Sequence, residues 1–175
     1  MEGKHVVGKI MITQEEILKR AEEIGHQISE DYKGETVVVI GILKGAVLWM
    51  ADVIKNINLD TEIDFMAVSS YGASTKSSGV VKIVKDLDRP IEGAHVIVVE
   101  DIIDSGITLN YLKGYLQARG PESIRFCTLL DKPAGRRTEF TAEYVGFEVE
   151  DRFIIGYGLD YDQKYRNLPY ISYLD

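Results

Sequence analysis

The sequence predicts an α/β domain with a mainly parallel central sheet flanked by helices. Three observations predict it. The runs Thr36 to Leu43, His95 to Val99 and Ile124 to Leu130 are apolar on both faces, which is how strands buried inside a parallel sheet read. Segments with helical spacing of apolar residues alternate with these runs, as βαβ units require. Glycine, proline and small polar residues punctuate the boundaries. With 175 residues and 45% apolar content, the chain can build and cover one core, so a single domain over residues 1–175 is expected.

Taken in order, Thr13-Gln-Glu-Glu16 is a capping box, and Ile17, Leu18, Ala21, Ile24 and Ile28 follow at helical spacing. The first helix is therefore expected to end near Gly34. The buried strand Thr36 to Leu43 comes next, and Gly45 opens a second helical pattern through Ala46, Leu48, Trp49, Ala51, Val53 and Ile54. Glu62 to Ser69 and Val80 to Val84 read as strands around the small, glycine-bounded loop Tyr71 to Gly79. Gly93 ends a turn before the strand His95 to Val99, and a helix is expected from about Ile107 to Ala118. After the turn Arg119-Gly-Pro121 and the strand Ile124 to Leu130, shorter strands are expected at Glu143 to Val149, Arg152 to Ile155 and Ile171 to Leu174.

Composition narrows the function. A formal net charge of -8, with charges mixed rather than massed, argues against nucleic acid or membrane surfaces as partners. Local basic groups must hold any anionic ligand. No signal-peptide pattern opens the sequence, and no apolar run approaches the roughly 20 residues of a membrane span. Cys127 is the one cysteine and sits in an apolar run, so a buried structural thiol and a reducing, cytoplasmic location are expected.

Parallel sheets bind ligands beyond the carboxyl ends of their strands. There Glu100 and Asp101 follow four apolar residues, and alternation would send one carboxylate to each side of the sheet edge. Such a pair suits ribose hydroxyls or a hard cation. Asp104-Ser-Gly-Ile-Thr108 then turns into a helix whose free N–H groups, hydroxyls and dipole suit a terminal phosphate. Individually, Asp104 or Ser105 can instead cap that helix. Together, three carboxylates crowded at a strand end repel one another unless cations or hydroxyls lie between them.

The stretch Glu100-Asp-Ile-Ile-Asp-Ser-Gly-Ile-Thr108 resembles the 5-phosphoribosyl 1-pyrophosphate motif of the type I phosphoribosyltransferases. Leu43-Lys-Gly45, Ser70-Tyr71, Leu130-Asp-Lys132, Val145-Gly-Phe147, Gly156-Tyr-Gly-Leu-Asp160 and Tyr165-Arg166 extend the similarity to the hypoxanthine-guanine branch of that family. The segments occur in the family's order and cover most of the chain.

That resemblance implies a fold whose N-terminal and C-terminal segments form a small hood over the sheet. It implies transfer of the phosphoribosyl group to hypoxanthine, and also guanine, with Mg2+ as cofactor. Glu100 and Asp101 would hold the ribose hydroxyls, directly or through the metal, and Ser105, Gly106, Ile107 and Thr108 the 5-phosphate. Asp104 matches the catalytic carboxylate near purine N7. Lys44, Gly45 and Arg166 match the pyrophosphate site, and family members carry a non-proline cis peptide at the step matching Leu43–Lys44. Lys132 matches the donor to purine O6, Phe153 the ring stacked on the base, and Ile154 and Asp160 the carbonyls facing position 2. Asp160 also matches a ligand of a second magnesium. Ser70 and Tyr71 match lid residues, with Tyr71 to Gly79 as the lid. A homodimer or homotetramer is the family's usual assembly.

Departures limit the match. Ile107 stands where some relatives carry a cation, and Lys76, Arg136 and Arg137 have no role that the resemblance assigns; for the arginine pair, a solvated or intersubunit salt bridge is expected. Plain core packing is the alternative for Phe153, and a surface salt bridge for Arg166. Competing functions are transfer to xanthine, adenine or a pyrimidine, a nucleotide sensor without turnover, and a phosphoacceptor receiver domain.

Overall fold

The structure, a computed structural model, describes residues 7–70 and 81–175. Helix α1 spans Gln14–Asp31 and starts at the predicted box: Thr13 Oγ1 accepts from the Glu16 N–H at 3.2 Å, and the Glu16 carboxylate accepts from the Thr13 N–H at 2.8 Å. Its apolar stripe is buried at Ile17, Ala21, Ile24 and Ile28. Each large aliphatic side chain there contributes at most about 1.5–3 kcal/mol of transfer free energy. The helix stops at Asp31, and Gly34 takes the left-handed turn that follows, at φ 82.

Strand β1 (Val37–Leu43), helix α2 (Val47–Ile54), strands β2 (Thr61–Ser70), β3 (Val81–Lys85) and β4 (His95–Ile103), helix α3 (Ile107–Gln117) and strands β5 (Ser123–Asp131) and β6 (Tyr144–Glu148) follow. They form one sheet of order β3-β2-β1-β4-β5-β6, parallel except for the antiparallel β2–β3 pair. Helices α1 and α2 pack on one face over Trp49, Val39 and Ile97, and α3 covers the other through Leu109, Leu112 and Leu116. Full burial on both faces is why β1, β4 and β5 lack polar alternation. Cys127 is buried within this core, and desolvation pushes its thiol up to about 12, so it is a structural thiol as expected.

Strands β7 (Phe153–Ile155) and β8 (Ser172–Leu174) pair antiparallel, and bridges from Val7 to Leu174 and Ile12 to Ile171 add the N-terminal segment. This is the expected hood. A short 3-10 turn, Pro133–Gly135, was not predicted.

One boundary differs in a way that matters. The sequence ends the central strand before Glu100, but β4 continues to Ile103 because β5 keeps pairing with it at Glu100↔Thr128, Ile102↔Leu130 and Ile103↔Asp131. Glu100 and Asp101 therefore sit on the ladder rather than in a turn, held by strand geometry.

Asp86, just past β3, anchors that edge to α3. Its carboxylate accepts from Arg119 Nη2 and Tyr115 Oη, both at 2.5 Å, and the Arg119 guanidinium is the main cause of its pKa falling to about 2. Because the folded pKa lies below the unfolded value near 3.9, the stabilisation is present above about pH 4 and lost as pH falls toward 2. Asp86→Asn is expected to cost roughly 0.5–1 kcal/mol at pH 7, given solvent screening of a half-exposed pair. Urea unfolding of both proteins at pH 7 and again at pH 2.5 checks it: the difference should shrink at the lower pH.

Candidate active site

Because the strand order reverses direction of growth between β1 and β4, the loops after these two strands diverge and leave a crevice at their carboxyl ends. The loop after β1 is Lys44-Gly45, and the Leu43–Lys44 peptide is cis, as the resemblance implies. A Cβ on Gly45 would collide with the Asp101 carboxylate, and one on Gly158 with the Gly45 carbonyl. Glycine at both positions lets three segments meet: the β1 loop, the β4 carboxylates and the loop at 156–160. Gly158 is also left-handed, at φ 98.

Glu100 and Asp101 are half-buried neighbours. Desolvation, followed by the charge and hydrogen bonding of Asp101, raises Glu100 well above the usual carboxylate range. Asp101 is raised as well, by burial, against the pull of its hydrogen bonds and the Arg166 charge. Two adjacent carboxylates with raised proton affinity hold a deficit of positive charge or of donors, which a diol or a cation relieves. Among the described residues no three acidic, histidine or cysteine side chains converge as a metal cage. Magnesium does not require one: it commonly takes one or two carboxylates and completes its shell with substrate and water oxygens. The residues present fit that ion.

Beyond β4, Gly106 is the N-cap of α3 at φ 80, with no side-chain cap bond. Ser105 Oγ accepts weakly from the Ile107 N–H at 3.3 Å, and Asp104 does not cap the helix. A cavity of about 160 Å³ lies here, lined by Glu100, Asp104, Ser105, Gly106 and Thr108 among others. A helix start whose N-cap glycine offers no side-chain acceptor, beside a small cavity of mixed polar and apolar lining, is suited to a tetrahedral anion.

Asp104 borders this cavity and also reaches Lys132. Its Oδ2 lies 3.0 Å from Lys132 Nζ, which also faces Asp151 Oδ1 at 3.7 Å. Close approach of Gly135 makes room, since a Cβ there would strike the Asp104 carboxylate. Arg136, expected to be solvated or intersubunit, instead pairs with the Asp131 carboxylate and donates to the Asp104 carbonyl at 2.8 Å. The backbone N–H groups of Arg137 and Thr138 both reach the Ser105 carbonyl. The turn after β5 thus braces the phosphate-type loop after β4. Sequence reading missed this; the only trace was a glycine and an arginine placed just beyond Lys132.

Phe153 is 54% exposed and meets Tyr161 edge-on, so core packing is not its role. Ile154 is buried in the hood. Asp160 Oδ1 lies 3.3 Å from Arg166 Nη2, and Arg166 Nη1 donates to the Gly158 carbonyl at 2.6 Å. Arg166 is therefore no isolated surface salt bridge. Gln163, not singled out in the sequence, accepts from both Lys44 and Arg166. The structure thus groups the candidates into three neighbourhoods that adjoin: Lys132 with Asp104, the 100–108 cavity, and Lys44, Gly45, Asp160 and Arg166. The lid expected over Tyr71 to Gly79, with Tyr71 and Lys76, lies outside the described residues, as does the Ser70 side chain.

Comparison with known proteins shows what the chain as a whole is similar to. A family model described as the phosphoribosyl transferase domain matches residues 11–162. A hypoxanthine-guanine phosphoribosyltransferase of Bacillus subtilis is 53% identical over 171 residues, 98% of this chain and 95% of that one. Among solved structures, a hypoxanthine-guanine phosphoribosyltransferase from Bacillus anthracis superposes with a TM-score of 0.93 at 48% identity, covering 97% of this chain and 100% of that one. A hypoxanthine phosphoribosyltransferase from Staphylococcus aureus gives a TM-score of 0.93 at 45% identity, covering 97% and 92%.

Proposed function

This chain belongs to the phosphoribosyltransferase family, and we propose that it joins the 5-phosphoribosyl group of 5-phosphoribosyl 1-pyrophosphate to hypoxanthine and guanine. The products are IMP or GMP and pyrophosphate, a purine-salvage step. One observation carries the choice of base: Lys132 Nζ and Asp104 Oδ2 lie side by side, 3.0 Å apart. An ammonium offers only donors and an ionised carboxylate only acceptors. Side by side they complement the O6 acceptor and the adjacent N7–H donor of a 6-oxopurine. Adenine presents an amino group to Lys132 and leaves a donor unpaired.

In this reading N9 attacks C1 of the ribose as the bond to pyrophosphate breaks, and Asp104 takes the N7 proton. Phe153 stacks on the base, while the backbone carbonyls of Ile154 and Asp160 accept the 2-amino group of guanine and disfavour the 2-oxo group of xanthine. Glu100 and Asp101 receive the ribose hydroxyls, and Ser105, Gly106, Ile107 and Thr108 the 5-phosphate, by backbone N–H groups where Ile107 offers no cation. Lys44, Gly45 and Arg166 receive the pyrophosphate. Glu100 and Asp101 would hold one magnesium and Asp160 a second, and the metal would supply charge neutralisation for the leaving group. Ser70 and Tyr71, with the lid, would exclude water from the reacting carbon.

The same reading takes residues 1–175 as one catalytic unit, working as a homodimer or homotetramer in a reducing cytoplasm, with no nucleic acid or membrane partner. The test is direct: incubate the protein with magnesium, the ribose donor and hypoxanthine, guanine, xanthine or adenine, and follow nucleotide and pyrophosphate. Turnover is expected with hypoxanthine and guanine. Absence of turnover with every purine sinks the proposal.

A further inference from the structure

The turn after Asp160 holds a side chain with two cationic partners from separate segments. Gln163 Oε1 accepts from Lys44 Nζ at 3.2 Å and from Arg166 Nη2 at 3.3 Å. Both partners carry donors only, so the oxygen of the amide must face them. The Gln163 N–H donates to Asp160 Oδ2 at 2.8 Å. The backbone is left-handed at Gln163, φ 64, and at Asp162 and Tyr165, φ 51 and 75. Non-glycine residues keep such dihedrals where their surroundings over-determine them, and they concentrate at ligand clamps.

Charge decides what this arrangement can do. Lys44 arrives from the loop after β1 and Arg166 from the segment before β8, and two cations brought this close repel. An oxygen between them offsets that repulsion. Arg166 already faces one carboxylate, Asp160 Oδ1, at 3.3 Å. A second carboxylate would cancel the positive charge that remains; a neutral amide does not.

We propose that Gln163 is a positioning residue that gathers Lys44 and Arg166 into a single clamp for pyrophosphate while leaving their charge uncancelled. The proposal rests on the assignment of Lys44 and Arg166 to the leaving group. It explains why a strained turn exists at all beside Asp160: left-handed backbone at Gln163 brings its side chain back toward the β1 loop.

Two near-isosteric substitutions separate charge from gathering. Gln163→Glu keeps the acceptor and adds a negative charge; Gln163→Met keeps the shape and removes the acceptor. Neither alters the backbone N–H that Asp160 receives. Calorimetric titration with inorganic pyrophosphate and, separately, with IMP, both in magnesium, reads the effect. Pyrophosphate is expected to bind about tenfold more weakly to Gln163→Glu and about threefold more weakly to Gln163→Met. The Gln163→Glu deficit should narrow at high salt. IMP, which lacks the leaving group, should bind all three proteins within about twofold. Wild-type pyrophosphate affinity in Gln163→Glu overturns the proposal, and so does an equal loss for both ligands, which marks general damage to the turn. If the unmodified protein binds IMP but the variants leave pyrophosphate unchanged, only this proposal falls. If it binds neither ligand, the transferase reading falls with it.

Discussion

Replacing Asp104 by Asn is expected to lower kcat for IMP formation by about 10²–10⁴-fold, with the KM for the ribose donor changed far less. Asparagine copies the shape of the side chain and can still accept from Lys132, but it cannot take a proton from N7. The 3.0 Å contact with Lys132 matters here. It ties Asp104 Oδ2 to the proposed base subsite, and asparagine adds no bulk to the cavity that Asp104 borders with Ser105 and Thr108, so the change should spare phosphate binding. Arg136 reinforces this by holding the Asp104 carbonyl rather than its carboxylate, which leaves the backbone anchored in the variant. Steady-state kinetics in both substrates decide it. Equal losses in kcat and in donor affinity would reassign Asp104 to binding.

Much of the fold was legible because burial is written as residue type. Both-face apolar runs marked β1, β4 and β5, and the Thr13 box located the start of α1 within a residue. The end of β4 was misjudged for a physical reason: Glu100 and Asp101 are polar, so local pattern ends the strand, whereas pairing with β5 carries the ladder on to Ile103. Strand length there is a tertiary property, invisible to a window of sequence. The 3-10 turn at Pro133–Gly135 was missed similarly, since nothing local tells that Gly135 must clear the Asp104 carboxylate.

Site legibility followed chemistry plus resemblance. Carboxylates in a row and a Ser-Gly-Ile-Thr turn state their own chemistry, whereas Lys132, Phe153 and Arg166 acquire meaning only from what they face. Phe153 shows the limit: its type fits a core, yet it stands exposed against Tyr161. Gln163 and Arg136 were not legible as site residues because, besides the near neighbours Arg166 and Asp131, each has a decisive partner far off in sequence. Lys44 is bridged to Gln163 across a separation of 119 residues, and Arg136 reaches back to the Asp104 carbonyl across 32. Contacts of that kind come from topology, which brings the carboxyl ends of β1, β4 and β5 to one edge.

Lys132→Ala is expected to raise the KM for hypoxanthine by about 5–150-fold, the range set by about 1–3 kcal/mol for a donor lost from a polar site. Discrimination should change more than affinity. In the unmodified protein an amino group at purine position 6 meets the Lys132 ammonium, donor against donor; with alanine that conflict disappears, so adenine gains where hypoxanthine loses. The ratio of kcat/KM for the two bases therefore falls on both counts. Asp104 also feels the change, because Lys132 is its ion-pair partner and is itself only 13% exposed. Without that partner the carboxylate lies near Asp151 with no cation between them, and its placement beside N7 relaxes. The two residues should consequently fail to add: in a cycle of Asp104→Asn, Lys132→Ala and the double variant, the combined loss in kcat/KM should fall short of the product of the single losses. Strict additivity would mean that Lys132 and Asp104 act on different parts of the substrate. Unchanged selection against adenine in Lys132→Ala would remove Lys132 from base recognition and leave the 3.0 Å pair as a structural tie between β5 and the loop after β4.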